Sequence, residues 1–150
     1  MKALVTGAAG FIGSSLADSL TARGVDVVGL DCFTDYYARD IKERNLEPLR
    51  ARRNFRFVEA LLQDVALAPL LEGVTHVFHL AAQAGVRGSW GAQFATYTSH
   101  NVEATQRLLG RSRAGRSSAW SMRPVRPSTA TLPPSRCGRT HGSSPYRRTG

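Results

Sequence analysis

Apolar residues follow two alternating patterns over the first 110 residues. Short segments rich in apolar residues, which are typical of strands, alternate with longer segments in which apolar residues recur every three or four positions, as along one face of a helix. The predicted strands are residues 3–5, 25–30, 55–58 and 74–80, and the predicted helices are residues 11–20, 37–53, 65–71 and 94–109. Because strands that alternate with helices form a parallel sheet with right-handed crossovers, the pattern predicts a doubly wound α/β fold.

Two of the predicted helices have a recognisable apolar side, which we expect to pack against the sheet. Its members are Phe11, Ile12, Leu16 and Leu20 in the first helix, and Ile41, Leu46 and Leu49 in the second.

A glycine-rich segment, Thr6-Gly7-Ala8-Ala9-Gly10-Phe11-Ile12-Gly13, lies between the first strand and the first helix. A strand, a glycine loop and a helix in this order form the phosphate-binding turn of Rossmann-type dinucleotide-binding domains. The first glycine allows the tight turn, the second lets a pyrophosphate come close, and the third lets the helix pack closely. The pyrophosphate would bind the free N–H groups and positive end of the helix. The segment therefore predicts a cofactor site that includes Gly7, Ala9, Gly10, Phe11, Ile12 and Gly13; the alternative is an ordinary strand–helix turn.

An acidic residue, Asp31, ends the second predicted strand 18 residues after Gly13. A carboxylate in this position can accept both hydroxyl groups of an adenosine ribose, and it would repel a 2′-phosphate. Asp31 therefore predicts NAD rather than NADP as cofactor, and a solvated carboxylate at the end of a strand is the alternative.

The glycine segment, with two residues between its first two glycines, resembles the extended short-chain dehydrogenase/reductase family, the NAD-dependent epimerases and dehydratases of nucleotide sugars. The segments at residues 31–37, 79–87 and 97–105 are also similar to that family. Within it, Asp-Tyr-Tyr at residues 35–37 and Ala-Ala-Gln-Ala-Gly-Val-Arg at residues 81–87 are most similar to the UDP-glucuronate 4-epimerase branch. The resemblance covers about residues 1–110.

The resemblance implies a role for several residues outside the glycine loop. Leu80, Ala81 and Ala82 would lie against the cofactor, and Asn101 would belong to the cofactor site and order the neighbourhood of the active site. Arg87 would lie near the substrate. The intact enzyme would oxidise C4 of a UDP-sugar with NAD and return the hydride to the other face. It would also form a homodimer. A nucleotide-sugar 4,6-dehydratase is the alternative within the family.

Two further positions need an interpretation of their own. The family usually carries Gly-Asp after the third strand, and its aspartate meets the adenine amine, whereas this chain has Ala60-Leu61. This departure predicts weaker recognition of adenine. His79 lies on a buried strand, and we interpret it as structural rather than catalytic.

The composition changes at residue 111. Residues 1–110 contain 11 Lys or Arg and 11 Asp or Glu, whereas residues 111–150 contain nine Arg and no acidic residue, so the net charge of +9 lies in this tail. Arg, Ser, Pro, Gly, Thr and Ala make up 33 of its 40 residues, which predicts a disordered basic segment rather than part of the NAD-binding domain. Nucleic-acid binding by the tail is an alternative function, although such segments usually interleave aromatic residues, and this one has only Trp120 and Tyr146.

The set of codons that could encode the tail suggests an origin for it. The family continues with a fifth strand that carries a V-Y-A-S-S-S-S-V-Y-G run, followed by a Y-x-x-x-K pair. Codons for residues 120–130, translated one base earlier, can encode such a run. We hypothesise that a reading-frame shift near residues 110–118 produced the tail. A gene remnant without cellular activity is an alternative that is compatible with this hypothesis. Sequencing the coding DNA tests this, because codons that cannot yield serines in the other frame would exclude it.

One short motif in the tail matches the family in the written frame. Ser144-Pro145-Tyr146 is similar to the S-P-Y of the family, which implies Tyr146 as the catalytic tyrosine. The partner lysine would stand four residues later, where this chain has Gly150.

The remaining composition predicts no metal site and no membrane partner. Cys32 and Cys137 have neither CxxC spacing nor a histidine cluster nearby, and no apolar run is long enough for a signal segment or a membrane span. We therefore expect a cytoplasmic protein.

A polypeptide of these 150 residues is predicted not to epimerise UDP-glucuronate. A tyrosine without a nearby ammonium keeps a pKa of about 10 and is protonated at pH 7. The segments with which the family holds the sugar are not recognisable in residues 111–150, and loss of positioning removes ~7–11 kcal/mol of catalytic advantage. An epimerisation assay on the purified chain with added NAD checks this, and clear turnover would show that the active site has been misplaced.

Overall fold

Strands and helices alternate along the part of the chain that this computed structural model describes, which comprises residues 1–36, 38–85 and 90–114. The strands are β1 (Lys2–Thr6), β2 (Asp26–Asp31), β3 (Phe55–Glu59) and β4 (His76–His79). The helices are α1 (Phe11–Ala22), α2 (Arg39–Arg50), α3 (Leu67–Leu71), α4 (Phe94–Tyr97) and α5 (Ala104–Ala114). A 3₁₀ turn, Gly91–Gln93, precedes α4, and a π-helical segment, Thr98–Glu103, joins α4 to α5.

The four strands form one parallel sheet in the order β3-β2-β1-β4. Strand β1 lies in the interior, where Lys2 is in register with Asp26 of β2 and Ala3 is in register with His76 of β4. The strand order reverses direction between β1 and β4, and ligands of doubly wound sheets bind in the crevice at the carboxyl edge of such a position. The predicted fold class and the four-stranded parallel sheet are confirmed.

Successive residues of β1 face opposite sides of the sheet, and each side has its own hydrophobic core. Leu4 packs on one side in a cluster with residues of α3 and α5, among them Leu70 and Leu108. Val5 packs on the other side in a cluster with residues of α1 and α2, among them Ala17 and Leu46. The sheet is therefore covered by helices on both faces, as a parallel sheet requires.

The inner face of α1 differs from the prediction. Its buried residues are small or polar, namely Gly13, Ser14, Ala17 and Thr21, whereas the predicted Phe11 and Ile12 are 82% and 56% exposed. A Cβ atom on Gly13 would lie 2.0 Å from the carbonyl oxygen of Gly7, so α1 approaches the glycine loop too closely for any side chain at this position. The large apolar residues at the start of α1 therefore point away from the sheet.

The inner face of α2 also differs from the prediction, and α2 is shorter than the predicted 37–53. Leu46 and Leu49 are buried as expected, but Ile41 is 43% exposed and Lys42 is 6% exposed. Residues 42, 46 and 49 are spaced by four and three positions, so they share one side of the helix, while Ile41 is rotated by one residue toward solvent. The buried ammonium of Lys42 has a buried carboxylate as partner, as described below.

The predicted helix 94–109 is helical throughout, but it changes from α to π geometry at Thr98 and back at Ala104. It also continues through Gly110 to Ala114, so the first four residues of the predicted tail are helical. Residues 115–150 lie outside the described residues, so the predictions made for that part of the tail stay predictions. Within the described part, no helix is long and apolar enough to cross a membrane.

The geometry of Gly7 generates a stability prediction with a matched control. Gly7 has φ +70°, and an added Cβ atom would lie 2.9 Å from the backbone N of Ala81 and from the carbonyl carbon of Leu80. Gly24 has a similar φ of +76°, with nothing within 4 Å of an added Cβ. Gly24→Ala should cost only the left-handed conformation, ~1–2 kcal/mol, and Gly7→Ala should cost clearly more. Urea unfolding of both variants measures the difference, and equal losses would contradict the close packing of the loop on the end of β4.

Candidate functional site

A cavity of about 540 Å³ opens at the carboxyl edge of the sheet, between the glycine loop, α2 and the segments that follow β3 and β4. Nine of the eleven residues predicted to bind the cofactor line it, namely Gly7, Gly10, Phe11, Ile12, Gly13, Asp31, Leu80, Ala81 and Ala82. The other two, Ala9 and Asn101, bond to residues that line it. Residues that are distant in the sequence are thus brought together as predicted, while their binding role stays a prediction.

The glycine loop is held by the strand next to it and leaves the start of α1 open. The N–H groups of Gly7 and Ala8 both donate to the carbonyl of Leu30, at 2.8 and 3.2 Å. The first N–H groups of an α-helix have no intrahelical acceptor, and α1 has neither an acidic residue in its first turn nor a side-chain cap at Gly10. Neither the first turn of α1 nor its N-cap residue therefore supplies an anion to these N–H groups.

The carboxylate of Asp31 is 8% exposed and has three donors. Its Oδ2 accepts from the N–H of Ala9 at 3.1 Å, and its Oδ1 accepts from the N–H of Phe33 at 2.9 Å and lies 3.4 Å from Nζ of Lys42. Sequence analysis identified Asp31 but missed Lys42, which also lines the cavity. The available signal was the helical spacing that places Lys42 on the same side of α2 as two buried leucines.

Ala9 links the glycine loop to both β2 and α2. Its N–H donates to Asp31, and its carbonyl accepts from Nδ2 of Asn45 at 2.9 Å. Because its N–H group is already used within the protein, Ala9 acts on the cavity by holding the Asp31 carboxylate.

The connection from β2 to α2 is fixed by aromatic and ionic contacts. Phe33 adopts a left-handed φ of 50°, and its ring lies edge-on to Phe57 with 5.7 Å between the ring centroids. The guanidinium carbon of Arg39 lies 4.3 Å from the Phe33 ring centroid, and Arg39 donates two 2.9 Å hydrogen bonds to Glu59. The side-chain hydrogen bonds from Arg39 lower the pKa of Glu59. These contacts hold the segment that carries Asp31 against α2 and β3.

On the other side of the cavity, hydrogen bonds fix the segment that follows β4. Oγ1 of Thr6 accepts from the N–H groups of Leu80 and Ala81, both at 3.1 Å. Asn101 accepts from the N–H of Gln83 at 2.7 Å and donates to its carbonyl at 3.1 Å. The expectation that Asn101 orders this neighbourhood therefore has a structural counterpart in its pair of bonds to the Gln83 backbone.

Ala60 and Leu61, at the positions where the family usually has Gly-Asp, line the cavity together with Leu62 and Gln63. Leu61 thus presents an apolar side chain at the position of the usual aspartate. Arg87 and Tyr146, predicted to contact the substrate and to act in catalysis, lie outside the described residues, as does Tyr37.

Comparison with known proteins agrees with this geometry. A sequence profile described as GDP-mannose 4,6 dehydratase matches residues 4–132. The chain belongs to this family. The resemblance to the extended short-chain dehydrogenase/reductases, inferred above from the glycine loop and the segments after β2 and β4, is thereby confirmed.

Two sequence relatives and one solved structure illustrate the relationship. The uncharacterized UDP-glucose epimerase YtcB of Bacillus subtilis is 48% identical over 110 residues, which is 73% of this chain and 35% of the relative. UDP-glucuronate 4-epimerase 2 of Arabidopsis thaliana is 47% identical over 90 residues, which is 58% of this chain and 20% of the relative. UDP-glucuronic acid 4-epimerase from Bacillus cereus, solved with UDP-glucuronic acid and NAD, matches with a TM-score of 0.76 at 38% identity and covers 80% of this chain.

The chain spans only part of these family members. It matches 35% of the Bacillus subtilis relative and 38% of the Bacillus cereus structure. The activity of a whole epimerase therefore enters below as a proposal.

The buried ion pair generates a prediction about stability. Replacing Lys42 with methionine leaves the carboxylate of Asp31 buried with two backbone donors and no counter-charge, and the expected loss is about 3 kcal/mol of unfolding free energy. Arg44 and Asp40 form a pair at the same 3.4 Å on the surface of α2, with side chains 70% and 71% exposed. Urea unfolding should show no measurable change for Arg44→Met. A similar small effect of Lys42→Met would mean that the pair does not organise the site.

Proposed function

We propose that this chain is the NAD-binding portion of a nucleotide-sugar epimerase of the UDP-glucuronate or UDP-glucose 4-epimerase type. The observation that carries the proposal is the cavity over the start of α1, where the first turn of the helix has no acidic residue and no side-chain cap, and where the buried carboxylate of Asp31 lines the same space. A pyrophosphate at the helix start and a ribose at the carboxylate are the two features that identify a dinucleotide.

Each part of the NAD molecule has a group of cavity residues that fits it chemically. The N–H groups at the start of α1, including those of Phe11 and Ile12, would bind the pyrophosphate. Asp31 would accept from the ribose hydroxyls, and Lys42, which lines the same cavity, would donate to the same ribose. Residues 60–63 would contact the adenine. Ala81 and Ala82, with their small side chains, would leave room for the nicotinamide.

The chemistry proposed for the whole enzyme is oxidation of the sugar at C4 by NAD and return of the hydride to the opposite face. From the family resemblance, Tyr146 would take the proton of the C4 hydroxyl and Arg87 would contact the UDP-sugar. The same resemblance supports a homodimer in the cytoplasm for the whole enzyme.

A nucleotide-sugar 4,6-dehydratase is the second candidate, because the matching family profile is described as GDP-mannose 4,6 dehydratase. The two activities share the oxidised C4 intermediate and the same NAD site. The relatives that match at 47% and 48% identity are named as epimerases, which favours the first candidate.

Binding of the two dinucleotides tests the role of Asp31. NAD should bind the chain more tightly than NADP. Asp31→Ala should weaken NAD binding by ~1–3 kcal/mol and reduce the difference in affinity between NAD and NADP. Because this change strands the buried charge of Lys42, the informative comparison is Lys42→Met with Lys42→Met/Asp31→Ala, measured by isothermal titration calorimetry below the unfolding transition. Equal affinity of the parent chain for NAD and NADP would overturn the assignment of Asp31.

The apolar residue at the adenine position generates a gain-of-affinity prediction. Leu61→Asp supplies the missing acceptor for the adenine amine, and a hydrogen bond to a charged group contributes about 1.5–3 kcal/mol. NAD should therefore bind Leu61→Asp more tightly than the parent chain, whereas Leu61→Ala, which lacks the carboxylate, should show no gain. Nicotinamide mononucleotide contains no adenine and serves as the ligand control. An equal gain for both ligands would place the adenine elsewhere.

A further inference from the structure

His79, at the carboxyl end of β4, connects β1 to α5. Its Nδ1 lies 2.7 Å from Oγ1 of Thr6, and its Nε2 lies 3.0 Å from Oγ1 of Thr105. Oγ1 of Thr105 in turn lies 2.7 Å from the carbonyl oxygen of Asn101, in the π-helical segment. The imidazole ring is not part of the cavity lining, and burial lowers its pKa.

The neighbours of His79 determine the direction of each hydrogen bond. Oγ1 of Thr6 already accepts two N–H groups, so its only proton is donated to Nδ1 of His79. A neutral imidazole that accepts at Nδ1 carries its proton at Nε2, and this N–H donates to Thr105. The hydroxyl of Thr105 then donates to Asn101. The four residues form one directed chain, and only the Nε2–H tautomer of His79 completes it.

This series of hydrogen bonds connects the two ends of residues 80–83, which we call the pocket segment. At its beginning, the N–H groups of Leu80 and Ala81 donate to Thr6. At its end, the backbone of Gln83 makes both of its bonds to the side chain of Asn101. Thr6 and Asn101 hold the two ends of the pocket segment. His79 connects these two residues, because it bonds to Thr6 directly and to Asn101 through Thr105. The register of the π-helical segment relative to the sheet is therefore tied to the ring of His79.

We infer that His79 is a positioning residue, which in its Nε2–H tautomer holds the pocket segment between β1 and the π-helical segment. It acts on the cavity through Thr6 and Asn101 and does not itself contact the cofactor. The effect on cofactor binding rests on the proposed function, whereas the holding of the pocket segment does not.

The tautomer is the first test, and it needs no cofactor. Long-range ¹H–¹⁵N correlation spectra of the chain, labelled with ¹⁵N-histidine at pH 7, should show His79 with its proton on Nε2, and His79→Gln identifies its signals. Thr6→Val removes the proton donated to Nδ1 and should shift the population toward the other tautomer. A protonated Nδ1 in the parent chain would overturn the inference.

Amide hydrogen exchange tests the holding role directly. His79→Phe keeps a ring of similar size without the two bonds, and it should accelerate exchange at the N–H groups of Ala81 and Gln83 by about tenfold. His79→Gln, which can still donate to Thr105, should restore part of the protection at Gln83. The β2 amide of Val27, which donates to Asn54 at 2.8 Å, reports global unfolding and should not change. Unchanged exchange at Gln83, or equal acceleration at Val27, would contradict a specific positioning role.

Cofactor affinity provides the last measurement. NAD should bind His79→Phe about tenfold more weakly than the parent chain, and Thr105→Val should add little to that loss, because both changes break the same connection. His76→Phe, on the same strand, should leave affinity unchanged. Additive losses in the double variant would overturn the coupling. Absence of NAD binding in the parent chain would defeat the proposed function instead, while the tautomer and exchange results still decide the role of His79.

Discussion

The buried carboxylate of Asp31 is the interaction on which the rest of the site depends. Removing a carboxylate from water costs several kcal/mol unless donors replace its hydration, and here each donor comes from a different segment. Ala9 belongs to the glycine loop, Phe33 to the connection after β2, and Lys42 to α2. A single side chain thereby fixes the relative positions of three segments that surround the cavity. The segments around the proposed ribose site are thus held to one another by contacts within the protein.

Sequence analysis predicted the frame of the molecule because the frame depends on local signals. Each strand contains a short group of apolar residues. The glycines at positions 7 and 13 are required because the structure leaves no room for a Cβ atom there. The order of strands and helices then leaves few possible topologies, since crossovers between parallel strands are right-handed. For these reasons the sheet, the location of the site at the glycine loop and nine of the residues that line the cavity could be predicted.

The errors occurred where a long-range contact overrides residue type. Ile41 was assigned to the apolar side of α2 because it is apolar, and Lys42 was left out because it is charged. The buried position belongs to Lys42, because its ammonium pairs with the carboxylate of Asp31 at the end of β2. The side assignment of α1 failed for a related reason, because close approach to the glycine loop excludes the large residues that usually mark an inner face. His79 was interpreted as structural, and its neighbours Thr6 and Thr105 are separated from it by 73 and 26 positions, so no local pattern could reveal their connection.

Strand β4 has one further consequence for how this sheet can assemble. In the described part of the chain it pairs only with β1, so the row of backbone N–H and C=O groups along its other side forms an edge of the sheet. Such an edge is a template for another strand, and proteins protect it by keeping it short or by covering it. With only four residues, β4 offers few such groups. A further strand that docks there would extend the sheet past the switch point between β1 and β4.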